Sequence, residues 1–351
     1  MLKIIFFLSL SLCLSACSTL GYYAQAIGGH NEVMGQAKPI DEILADEKTP
    51  KALKQKLQLA QQARVFATTQ LGLPDNQSYQ SYTDLKRPFV VWNVIATPAH
   101  AIEPKQWCFL VVGCLSYRGY FDKADATALA DELRAQGFDV AVGGVTAYST
   151  LGWFDDPLLN TMLRQDEATM VGVIFHELAH QLIYIDDDSA FNEAFATAVE
   201  QEGLRRWFLS RGTPEQYSAY EYRQQQRGRI YQLLISTREK LRAVYNASHT
   251  MDEKQQQKQQ LFAQLKQQYQ QEKGDYTGFD RWMAQDLNNA HLALVATYQQ
   301  KVPNFMAVLQ SVRGDMVQFY ERVRELAAMP ALQRQITLEN DYGHQKTALQ
   351  P

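Results

Sequence analysis

The chain has 351 residues, 46% of them hydrophobic, and 34 basic against 38 acidic side chains for a formal net charge of −4. That length and composition suffice for a substantial core, organised as one large domain with additions. The near balance of charge, without any long single-sign block, excludes the basic footprint of a nucleic-acid-binding protein.

In chain order, Lys3 is followed by the apolar run Ile4 to Leu14 and then by Leu14-Ser15-Ala16-Cys17. A short charged start, an apolar core and small residues at a cleavage point predict an export signal peptide over residues 1–16. The run falls short of the roughly 20 residues needed to span a bilayer. Leu-Ser-Ala-Cys resembles the bacterial lipobox. The resemblance implies lipidation of Cys17 and a periplasmic protein held to the membrane through an N-terminal lipid anchor. Ser18 in place of an aspartate implies the outer membrane. With Cys13 in the signal, Cys108 and Cys114 remain as a pair in an oxidising compartment. A disulfide and two buried thiols both suit them, and a bridge requires a turn that Val112-Gly113 can supply.

Tyr22 to Gly35 shows no strong period. Pro39 to Leu71 reads as one or two helices, with Leu53, Leu57 and Ala60 on the apolar side, ended by Gly72-Leu73-Pro74-Asp75. Phe89 to Ala96 and Phe109 to Val112 are β-branched or aromatic runs that read as strands. A helix from about Lys123 to Gln136, stopped by Gly137, precedes another strand over Phe138 to Val145. From Ala168 onward the chain reads as almost wholly helical. Pro214 to about His249 and Met251 to about Lys273 form an antiparallel hairpin whose glutamine-rich part, Gln255 to Gln271, reads as a solvated surface. Arg281 to Ala328 reads as one long helical region broken near Pro303. The expected fold class is α+β, mostly α, with residues 17–351 forming one domain that carries a helical insertion at about 214–273.

The chemistry concentrates in His176-Glu177-Leu178-Ala179-His180. Two histidines four positions apart share a helix face, so both imidazoles reach one metal ion, and Glu177 is turned to meet a water there. Zn2+ held by two imidazoles and a third ligand keeps a position open for water and lowers that water's pKa. Glu177 then serves as general base. The flanks are uncharged, which makes the three polar residues costly unless something binds them. Glu193 is the expected third ligand, on a second helix that opens with Ala190-Phe191-Asn192-Glu193. Asp186, six positions after His180, is the rival. It would require a sharp turn at Ile183, where a β-branched residue resists positive φ. Glu200, two turns beyond Glu193, is placed to bond a ligand histidine, or else is a solvated glutamate. His291 and Tyr298, seven residues apart on one helix face, are candidate donors to a developing oxyanion, though core or surface roles suit them too. The strand end Gly143-Gly144-Val145-Thr146 is either an edge for an extended peptide or a tight turn.

Asn192-Glu193 resembles the Asn-Glu pair with which gluzincin peptidases supply their third metal ligand, although only twelve residues separate His180 from Glu193 here. More broadly, the lipobox, Tyr22-Tyr23-Ala24-Gln25-Ala26, the run Cys108 to Phe121, Tyr148-Ser149-Thr150-Leu151-Gly152-Trp153-Phe154-Asp155-Asp156-Pro157, the His-Glu motif and Asn288 to Tyr298 resemble a bacterial family of predicted aminopeptidases. That resemblance implies a zincin-like helix pair after the small sheet, a zinc cofactor and a peptide substrate. An aminopeptidase also requires an acidic group for the substrate's free amine, for which Asp155, Asp156 and Glu200 are candidates. The alternative is a lipid-anchored binding or assembly protein whose metal site is structural or inactive. Glu177 argues against it, because a purely structural site needs no general base beside its ligands.

Overall fold

Residues 21–109, 113–186, 188–293 and 301–342 are described by the structure, a computed structural model. Cys17 and Tyr298 lie outside the described residues. The first element is a helix, α1 (residues 21–35), where the sequence shows no period. Its inward face explains why: it is lined by groups that do not read as apolar. Gln25 pairs with the backbone of Gly119 and Phe121 at 3.3 and 3.2 Å. Gly29 lies so close to the Phe121 ring that a Cβ would stand 2.0 Å from its Cγ.

Strand β1 (Lys38–Pro39), helices α2 (Ile40–Ala45) and α3 (Lys51–Leu71), and strand β2 (Ser81–Thr83) follow. Proline ends the run before α3, and Gly72, at φ 66°, closes it in the left-handed region as expected for a glycine C-cap. Next come β3 (Val91–Pro98), β4 (Trp107–Phe109), β5 (Gly113–Leu115), β6 (Arg118–Tyr120), α4 (Lys123–Ala135), β7 (Phe138–Val145), β8 (Leu158–Leu159) and α5 (Asn160–Leu163). Three small sheets result, ordered β1-β2-β8, β6-β3-β7 and β4-β5. In the middle sheet β3 pairs antiparallel with both neighbours, so β7 is an edge strand. Cys108 and Cys114 face each other across the β4–β5 hairpin and are bridged as a disulfide.

The remainder is helical: α6 (Glu167–Leu182), α7 (Ser189–Ser210), α8 (Pro214–Asn246), α9 (Met251–Glu272), α10 (Asp280–Met283), α11 (Asn289–Ala293), α12 (Val302–Ser311), α13 (Met316–Ala327) and α14 (Ala331–Tyr342). The fold is α+β and mostly α. The principal core gathers apolar residues of α3, α6, α7, α12 and α13. A second core lies within the α8–α9 hairpin, and a third lies between β3, β7 and α4. In α9 only Lys258, Phe262, Leu265 and Tyr269 are buried, at helical spacing, and the glutamines cover the solvated side. The hairpin is seated on the sheet by a buried ion pair, Lys258 Nζ to Asp139 Oδ2 at 2.6 Å. Beside it, Asn289 donates to the carbonyls of Ala99 and Ala101 at 3.0 Å each.

The last part of the chain departs from the expected single helical region. It is divided among α10 to α13, because Asn288 caps α11 through the Ala290 amide and because Arg313 and Gly314 both take positive φ. Pro303 begins α12 rather than breaking a helix, in the first turn where its missing N–H is harmless. Among the described residues, no helix is long and apolar enough to cross a membrane.

Candidate active site

Helix α6 carries the His-Glu motif and starts at Asp166, whose carboxylate accepts the Thr169 amide at 2.8 Å. It packs closely on α7 because glycines stand where the two cross. A Cβ on Gly203 would meet Phe175 at 2.6 Å, and one on Gly172 would meet Glu200 and Leu204 at 3.1 Å. The short connection between the helices closes through Asn192, which is buried and clamps Ile185 with both ends of its amide, accepting at 2.9 Å and donating at 2.7 Å. Ile183 is extended, with φ −143°, so no left-handed turn is needed there. Asp188 caps α7 by accepting the Phe191 amide, and Arg334 of α14 grips the same carboxylate at 2.7 and 3.0 Å.

This scaffold brings His176, His180 and Glu193 together, with one ligand atom from each lying within 4.8 Å of the others. The two Nε2 atoms are 3.1 Å apart, and the Glu193 carboxylate lies 3.4 Å from that of His176 and 3.7 Å from that of His180. Donors about 2.1 Å from a tetrahedral metal ion are separated by roughly 3.4 Å, so the three edges fit one ion. Asp186, the rival ligand, is exposed and lies outside the cluster. Behind His176, Glu200 Oε2 lies 3.3 Å from Nδ1, the contact that fixes a ligand ring's tautomer. The Nδ1 of His180 is buried and has no hydrogen-bond partner among the described residues.

The three side chains also perturb one another's titration. Burial opposes a charge on His176, but hydrogen bonds to Glu193 and Glu200 raise its pKa well above the ordinary value. Burial and the neighbouring His176 push His180 down to about 4. Glu193 is lowered: burial works to raise it, and the hydrogen bond and charge of His176 outweigh that. Two imidazoles and a carboxylate are a donor set that suits a borderline divalent cation.

Glu177 lies close to His176 and Glu193 and also to Ser149 and Asp156. Burial raises its pKa to about 7, with Glu193 and Asp156 adding to the shift and a hydrogen bond from Ser149 and the His176 charge opposing it. A carboxyl group poised near neutrality is suited to exchanging protons. Ser149 also bonds Asp156, whose fully buried carboxylate accepts the Thr150 amide at 2.9 Å and hydroxyl at 2.8 Å. Tyr79 packs nearby, fully buried and at positive φ. Burial first, then the charges of Glu177 and Asp156, raise its pKa well above the ordinary value. Tyr117, half-buried at the start of β6, is pushed up to about 12 by burial and then by Glu193.

Ser149, Tyr79 and Tyr117 were not singled out by spacing. Two of them do lie in runs that carry the family resemblance, Tyr148 to Pro157 and Cys108 to Phe121. His291, by contrast, meets Trp282 edge to face at 5.7 Å and bonds Asn288 at 3.0 Å beside the second core, and burial lowers its pKa to about 4. Among the described residues it makes no contact with the His176 cluster. Of the candidates for an amine-binding acid, Asp156 is spent on Thr150, Asp155 is exposed, and Glu200 is engaged with His176.

No curated protein and no solved structure matches the chain. A family described as putative aminopeptidase matches residues 21–338, a stretch that takes in α1, the cluster and all but the end of α14. The chain belongs to that family.

Proposed function

We propose that the protein is a zinc-dependent peptidase, an aminopeptidase by its family, which hydrolyses peptides in the periplasm while anchored through Cys17 to the outer membrane. The observation that carries the reading is the convergence of His176, His180 and Glu193 at the spacing of a tetrahedral site, with Glu177 beside it and held by Ser149. Zinc held there would supply Lewis acidity towards a peptide carbonyl and make a water molecule easier to deprotonate. Glu177, with its pKa near neutrality, takes the proton from the attacking water and returns it to the departing amine nitrogen. Ser149 orients Glu177 and keeps it from swinging onto the ligands. Tyr117, next to Glu193 and Glu177 and protonated at neutral pH, offers a hydroxyl donor to the carbonyl oxygen as it gains charge.

The test is metal content of the purified protein together with hydrolysis of a mixed peptide library followed by mass spectrometry. About one zinc per chain and stepwise loss of N-terminal residues are expected. Glu177→Gln should keep the metal and lose hydrolysis by a factor of at least ~100, the size typical of a missing general base. Internal cuts would make the protein an endopeptidase. Metal without turnover would favour the binding or assembly protein, and a chain that takes up no metal would sink the proposal.

A further inference from the structure

The most exposed of the large apolar side chains is Trp153, at 80%, and it does not stand alone. Phe154 follows it at 54% exposure, its ring 4.6 Å from that of His30 on α1. Ile27, 60% exposed, lies one turn before His30 on the same helix face. Three large apolar groups from two separate parts of the chain therefore form one patch.

The turn that presents the aromatics is held firmly. The Thr150 hydroxyl accepts the Phe154 amide at 3.0 Å and donates to Asp156, while Leu151 and Gly152 both take positive φ. For Leu151 that conformation costs energy, so the outward presentation of Trp153 and Phe154 is maintained against strain. The same turn begins with Ser149, the partner of Glu177, and Gly152 packs against Gln181 of α6. The patch thus lies on the outer side of the turn that starts at Ser149.

What covers it follows from where the chain enters. The first described residue, Gly21, is already in helix α1 and lies four residues after Cys17. Four residues span at most about 14 Å, and Ile27 and His30 lie about 9 and 14 Å along the helix from Gly21. An acyl group on Cys17 therefore brings the bilayer within reach of the patch. Exposed Trp, Phe and Ile beside an anchor are the composition of a surface that beds into the headgroup region.

We propose that Ile27, Trp153 and Phe154 insert into the lipid surface next to the Cys17 anchor, so that the turn leading from Ser149 faces the membrane. This rests on lipidation of Cys17.

The test uses the full lipidated chain in phosphatidylethanolamine and phosphatidylglycerol vesicles whose acyl chains are brominated, which quench tryptophans that enter the hydrocarbon boundary. The protein has five tryptophans, so quenching of roughly a fifth of the emission is expected. Trp153→Phe, which keeps the patch apolar, should abolish the quenching while the vesicles still carry the protein. Trp153→Ser/Phe154→Ser should leave hydrolysis of soluble peptides in detergent unchanged. Mass spectrometry of the N-terminal peptide separates the two ways of failing. An unmodified Cys17 would refute the anchor. An acylated Cys17 with no Trp153-dependent quenching would refute the insertion alone. A several-fold rise in KM for soluble peptides in the double variant would overturn the proposal in favour of a substrate-binding role for the patch.

Discussion

Replacing Glu200 isolates the contribution of the single carboxylate that backs a ligand histidine. The contact from His176 Nδ1 to Glu200 Oε2 is 3.3 Å, long for a charge-assisted bond, and the glutamate side chain is 23% exposed. Hydrogen bonds to charged groups contribute about 1.5–3 kcal/mol, and the length and exposure place this one near the lower bound. At about 1.4 kcal/mol per tenfold, Glu200→Ala should weaken metal binding by roughly tenfold. That lies at the low end of the 10–100-fold range typical of residues that orient metal ligands. Glu200→Gln keeps an acceptor but loses the charge, so a loss of about threefold is expected. Gly172→Ala should resemble Glu200→Ala, because its new methyl group would stand 3.1 Å from Glu200 Cγ and Oε1 and displace the carboxylate from the ring. The assay is competition against a chromophoric chelator at fixed pH, with circular dichroism to confirm that each variant is folded. A folded Glu200→Ala that binds metal within a factor of two of the parent would refute the assignment.

Other consequences can be checked with the same protein. Asn192→Ala removes both bonds to the half-buried Ile185 backbone, so a loss of about 1–3 kcal/mol in denaturant unfolding and weakened metal binding are expected. Metal affinity equal to the parent's would show that the connection is not set by Asn192. Lys258→Ala strands Asp139 as a buried, unpaired charge and should cost about 3–5 kcal/mol, whereas Lys258→Met/Asp139→Leu should recover most of it; chemical unfolding of both variants decides the matter. Glu202 supplies a pH dependence. Burial acts to raise its pKa, but bonds from Arg205 and Arg206 lower it below its ordinary value of 4.5. Its contribution to stability is therefore complete above that value and disappears as pH falls through the lower, folded-state pKa. Thermal melts should show Glu202→Gln less stable than the parent at pH 7 and the gap closing towards pH 3; a constant gap would contradict this.

The parts of the site that were legible in the sequence are those set by local helical geometry. His176 and His180 converge because four residues make about one turn, and Asn192-Glu193 announced its helix through the polar pair at its start. The partners of Glu177 were hidden because Ser149, Tyr79 and Tyr117 arrive from loops and a strand, where no period ties them to α6. The fold shows the same division. β7 and the α8–α9 hairpin follow from hydrophobic spacing, but α1 does not, since Gln25 and Gly29 serve its inward face by hydrogen bonding and by close approach. His291 and Tyr298 were paired on a single helix face; His291 is turned to Trp282, which spacing alone could not say, and Tyr298 lies outside the described residues.

The grip of Arg334 on Asp188 spans 146 positions of sequence. During synthesis, His176, His180 and Glu193 all leave the ribosome long before the residue that steadies the start of α7. Until then the helix end bearing Glu193 lacks its tether, and a frayed end cannot hold a carboxylate against two imidazoles. A protein shortened ahead of residue 334 is therefore expected to keep His176, His180 and Glu193 yet to hold metal poorly. On the proposed reading, assembly of the His176, His180 and Glu193 cluster waits for α14, which is remote in sequence from the His-Glu motif.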